Sequence, residues 1–118
     1  MIKEGQRKKA KYWGEFTVEK VVQLKDPGTG YNKELGEVIF KPTLVQIRWE
    51  GRCPDDEYEF WFPYWITTKG KEKYGQYAPM MNEGSLLELL QEAIGREFFS
   101  ENFLHQLRET ITDKLNSK

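Results

Sequence analysis

The segment Glu57-Tyr58-Glu59-Phe60-Trp61-Phe62-Pro63-Tyr64-Trp65-Ile66 packs six aromatic rings into ten residues, and its reading decides the fold. With the period of two of an extended chain, Tyr58, Phe60, Phe62, Tyr64 and Ile66 share one face, and Glu57, Glu59, Trp61, Pro63 and Trp65 share the other. The first reads as a core face. The second bears two indoles where a half-solvated strand carries polar groups, so Trp61 and Trp65 are expected to need cover from another layer or from a partner. Pro63 has no N–H to give to a ladder, which places the segment at a sheet edge or at a bulge.

Working outward, residues 43–50 alternate in the same way, with Val45, Ile47 and Trp49 opposite Leu44, Gln46, Arg48 and Glu50. A shorter strand at 37–41 is set off by Pro42, and 51–56 reads as the hairpin loop leading into the aromatic segment. Residues 13–24 place Phe16, Val18, Val22 and Leu24 against Glu15, Thr17, Glu19 and Gln23, a half-buried strand. Lys20 interrupts its apolar side, at a bend or with its stem along the core and its ammonium outward. Pro27, Gly28 and Gly30 supply turn chemistry, and 31–36 continues as loop. Neither a lysine-serine pair nor a third glycine follows, so the turn is not read as a phosphate cradle.

Downstream the period changes to that of a helix. Ser85 with Glu88 forms a capping box, and Leu86, Leu87, Leu89, Leu90, Ala93 and Ile94 fall in one arc, ended by Gly95. A second helix starts at Ser100 and aligns Phe103, Leu104, Leu107, Ile111 and Leu115. The expected architecture is α+β: a small, twisted, barrel-like antiparallel sheet of about four strands, followed by two C-terminal helices packed on it as a hairpin. Residues 1–12, with Lys3, Arg7, Lys8, Lys9 and Lys11, are expected to form a flexible basic arm, and 13–118 a single domain.

A chain of 118 residues buries roughly two-thirds of its unfolded surface, enough to fold without staples. Its one cysteine, Cys53, excludes an internal disulfide, and with no charged-then-apolar leader the expected location is the cytoplasm. No apolar run approaches the ~20 residues of a membrane helix. The net charge of −1 is unevenly spread: basic groups outnumber acidic ones in 1–25 and 67–81, and acidic groups dominate 26–66 and 82–118.

Catalytic chemistry finds little footing. His105 lies outside the apolar arc of its helix, and one histidine with one cysteine cannot build a nitrogen and sulfur zinc site. A Cys53–His105 couple lacks a third orienting group. Asp55-Asp56-Glu57 lacks the alternating spacing and glycine of a calcium loop and reads as a solvated hairpin tip. No cofactor or metal is expected, and no nucleophile elbow, metalloprotease helix or Walker lysine occurs. The remaining signal is a surface. The polar connector 67–79, too long for a simple turn, interleaves Lys69, Lys71 and Lys73 with Tyr74 and Tyr77 beside Trp61 and Trp65. These seven residues are the expected partner-binding set of a non-catalytic recognition domain. Its partner is a protein, a second copy of the chain included. Single-stranded nucleic acid, through ring stacking and lysines, is the first alternative, and a carboxylate-dependent hydrolase the second.

Overall fold

The computed structural model describes residues 2–10, 13–24, 28–32, 36–51, 58–74 and 81–117. Among these residues seven strands and two helices follow in order: β1 (Arg7–Ala10), β2 (Gly14–Gln23), β3 (Gly28–Asn32), β4 (Gly36–Trp49), β5 (Glu59–Trp61), β6 (Tyr64–Thr68), β7 (Lys71–Tyr74), α1 (Glu83–Gly95) and α2 (Glu101–Asn116). Every pairing is antiparallel, and the sheet curls into a half-barrel. The α+β class and the C-terminal helix pair are as the sequence implies.

β4 is the spine. On one edge its C-terminal half pairs with β2 and its N-terminal half with β3; on the other, β5 and β6 do the same. β1 extends the sheet beyond β2, and β7 beyond β6. The two strands expected at 37–41 and 43–50 are therefore one. Pro42 does not divide them, because its missing donor falls where the pairing passes from one neighbour to the next. Pro63 has the opposite effect and splits the aromatic segment into β5 and β6. The register survives the gap: Val45 faces Trp61, Pro42 faces Tyr64, and Thr43 N–H still donates to Pro63 O at 3.0 Å. In β2 the ladder shifts between Val18 and Lys20, a bulge at the position where the sequence shows a lysine on the apolar side.

Three strands come from stretches that read as irregular. Gly28–Asn32, taken as turn and loop, pairs residue for residue with Gly36–Phe40. The connector after Thr68 is a tight hairpin: Lys69 and Gly70 both have positive φ, 50° and 76°, the conformation that a two-residue turn between twisted strands requires. The expected flexible arm is β1, preceded by a buried Ile2. An edge strand with one inward face needs few apolar groups, so its charged sequence concealed it.

The sheet is apolar on both faces. Ile2, Phe16, Val18, Val45, Ile47 and Trp65 form the inner core within the curl. On the outer face Val22 and Leu44 pack against Leu89 and Ala93 of α1 and against Phe98. The cap of α1 lies three residues before the expected one, because Asn82 accepts the Ser85 N–H at 2.8 Å. Its C-terminal end is fastened by three side chains. Lys20 Nζ donates to the carbonyls of Arg96 and Glu97, Gln46 donates to Phe98 O at 2.8 Å within the core, and Arg96 donates to Glu4 and to Val21 O. Lys20 thus places its ammonium where the orphan carbonyls of a helix end require donors.

Candidate functional site

The inner face of the curl holds a cleft of about 770 Å³ between the strands β1 and β5. In an antiparallel ladder, opposed residues point to the same face, so pairing assigns the lining. Lys8 opposes Phe16 and Phe16 opposes Trp49; Ile47 opposes Glu59 and Val45 opposes Trp61. One aromatic row forms the floor. Phe16 meets Trp49 edge-on at 5.1 Å and Trp61 at 5.8 Å, and Trp61 meets Trp65 at 6.2 Å. These contacts have the edge-to-face geometry that ring quadrupoles favour. Lys8 closes the row at one wall and Glu59 stands at the other.

The rim is close to electroneutral. Arg7 bridges Glu15 and Glu50, each at 2.7 Å, and these carboxylates, Glu50 foremost, hold its guanidinium pKa above the ordinary value. The cleft is aromatic at its base, with Lys8 and Glu59 among the charged groups of its lining. Among the described residues, no group of three or more His, Cys, Asp or Glu side chains is arranged to hold a metal ion.

The expected face assignment of the aromatic segment is inverted. Trp65, only 7% exposed, belongs to the inner core, and Trp61 packs half-buried against it. Tyr58, Phe60 and Phe62, expected inside, are 42, 46 and 36% exposed. The flat indole surface proposed for recognition is thus absent: Trp65 is sealed within one chain, and Trp61 contributes to the cleft. The parity was right and the side was wrong, because Trp61 follows Val45 into the curl. Phe60 instead faces outward and meets Phe99 at 5.0 Å.

Lys69 and Lys71 are not brought to this cleft. Lys69 and Lys71 are exposed on the β6–β7 hairpin, β7 bears Lys73 and Tyr74 at the far edge of the sheet, and Tyr77 lies outside the described residues. The hairpin has its own ion pair, Lys41 to Glu72 at 3.1 Å. Partial burial would raise the Glu72 carboxyl, but the positive charge around it, Lys41 included, outweighs that and lowers it. Cys53, Asp55, Asp56 and Glu57 also lie outside the described residues, and with them the Cys53–His105 couple and the hydrolase motif. His105 is exposed, beside Arg108 at 3.0 Å. No described helix is long and apolar enough to cross a membrane.

α2 is the surface that sequence reading missed. It carries the expected stripe and starts at the expected cap, with Ser100 Oγ accepting the Phe103 N–H at 3.1 Å. No residue of it is buried, however, and among the described residues no strand or other helix packs against it. Phe103 stacks on Phe99 at 4.9 Å, and beyond that contact the helix projects. Ile111 and Leu115 are 51 and 62% exposed. The stripe was legible, but nothing in the sequence distinguishes a stripe that packs at home from one that does not. Comparison with family models, with curated proteins and with solved structures finds no match to the chain.

Proposed function

We propose that the chain is a protein-association domain that offers α2 to another protein, its curled sheet serving as the rigid base. The observation that carries this reading is the uncovered stripe. Exposed Phe103, Ile111 and Leu115, with half-buried Leu107 between them, recur at the four-residue spacing of a helix that lays its apolar side into a groove. Single-face apolar helices remain helical chiefly by packing, so a solitary one marks a missing neighbour. The exposed leucines of α1, Leu86 and Leu87, add apolar surface to the same C-terminal region. A photo-crosslinking side chain placed at position 111 in cells is expected to form one discrete adduct, lost on Phe103→Asp. If position 111 yields no adduct while the chain is folded and abundant, this reading fails.

A second reading, single-stranded nucleic acid in the aromatic cleft, is favoured by the row Lys8–Phe16–Trp49, which sets a cation beside two rings. It predicts a low-salt mobility shift of an oligopyrimidine that Lys8→Ala weakens. The Arg7 bridges and Glu59 weigh against it, since they leave the rim little net charge for phosphates.

A further inference from the structure

We propose that the partner of α2 is a second copy of this chain, the stripe of each α2 lying across the exposed aromatic row around β5 of the other. The inference rests on the α2 reading and names the surface that covers the helix. Tyr58, Phe60 and Phe62 alternate along one side of the extended segment, on the outer face of the sheet, and all three rings are exposed. The row joins the stripe at a corner: Phe60 meets Phe99 at 5.0 Å, and Phe99 stacks on Phe103 at 4.9 Å. Row and stripe are thus two arms of one apolar surface. Among the described residues α2 packs on no strand, so the arms part beyond Phe99 and neither covers the other within one chain.

The dimensions of the two arms suit a second copy. From Tyr58 to Phe62 the row spans about 14 Å at the rise of a strand, and from Phe103 to Leu115 the stripe spans about 18 Å at the rise of a helix. A two-fold axis lays each arm on its counterpart in the other chain, so both junctions form together and all four arms are covered. Phe60, the middle of the row, then stands against Leu107 and Ile111, the middle of the stripe. The exposed area is also of the right order. At roughly 200 Å² for a large side chain, the uncovered parts of Tyr58, Phe60, Phe62, Phe103, Ile111 and Leu115 come to about 600 Å² per chain. The polar atoms around them bring this near the ~800 Å² per partner of a stable interface. The outer face already accepts one helix, where Val22 and Leu44 pack on Leu89 and Ala93 of α1, and the second copy supplies another beside it.

Sedimentation velocity of the full chain over a low- to high-micromolar series tests this, and the wild type is expected to pass from monomer to dimer. Phe60→Lys and Ile111→Glu each set a lone charge against an apolar arm at both junctions, and each is expected to weaken dimerisation about a hundredfold. Their equimolar mixture should recover a dimer, since one junction of the mixed pair joins lysine to glutamate and the other is wild type. That recovery requires the strand row of one chain to meet the helix stripe of the other. Should either charge unfold the chain, Phe60→Ala and Ile111→Ala replace the pair, each expected to weaken the dimer about tenfold. A wild type that stays monomeric overturns the proposal, and the α2 reading then stands alone if position 111 still forms an adduct with another protein. A dimer that Ile111→Glu abolishes and Phe60→Lys leaves intact joins helix to helix, which also overturns it. So does a mixture that stays monomeric while both variants keep the circular dichroism of the wild type.

Discussion

α1 and α2 start alike: each opens on a side-chain cap, each carries an acidic residue in its first turn, and each has an apolar side. Leu89 and Ala93 of α1 are fully buried, whereas α2 buries nothing. The difference lies in what fastens the chain between them. Phe98 plugs the outer core, Gln46 holds its carbonyl, and Lys20 and Arg96 tie the end of α1 to β2 and to Glu4. After Ser100 no such ties follow in the described structure. An amphipathic pattern states that a helix wants cover, and the polar anchors at its ends decide whether its own chain provides it.

The comparison predicts that equivalent truncations act differently. Leu89→Ala should cost about 2–5 kcal/mol, because it leaves a cavity between α1 and the sheet. Ile111→Ala should stay within about 0.5 kcal/mol at low concentration, since that side chain is exposed in the lone chain. Urea unfolding at sub-micromolar protein reads both, and equal losses would show that α2 is covered after all. The caps sharpen the point at a smaller scale. Asn82→Ala should lower global stability by about 1 kcal/mol. Ser100→Ala should reduce the helical circular dichroism signal without moving the unfolding midpoint, because α2 frays independently of the sheet.

The smallest expected effect concerns the tie at the end of α1. The Glu4 carboxyl accepts the Val21 N–H, which is the chief reason its pKa lies below the ordinary value; burial opposes this, and the pairing with Arg96 adds to the lowering. A carboxyl lowered in the folded state stabilises it fully above the unfolded pKa and loses that contribution as the pH falls through the lowered value. Acid titration should therefore loosen the N-terminal segment and the α1 end together, while α2 keeps its helicity. Glu4→Gln should flatten that response, and an unchanged acid profile in the variant would remove Glu4 as the cause.

Legibility followed the same divide. Alternation at 43–50, the two helix stripes and the bulge marked by Lys20 were readable because each is a local pattern. The orientation of Trp61 and Trp65 was not, since both sides of their segment are aromatic and only the pairing of Trp61 with Val45 chooses between them. β1 escaped notice because Lys8 and Ala10 are enough to line a wall, and nothing in Arg7-Lys8-Lys9 announces a strand. The turn at Lys69 was masked by a lysine in a backbone conformation more often given to glycine or asparagine. In each case the deciding partner is distant in sequence, and a single-residue pattern carries no record of it.

β4 runs unbroken through Pro42 and lends one half to each part of the sheet. Neither part retains its central member if the other melts, so the strands should unfold as one cooperative unit. Amide exchange across Val38–Ile47 is then expected at a single, uniformly slow rate set by global opening. The domain resists being trimmed into smaller autonomous pieces: a cut on either side of Pro42 dissolves both parts at once.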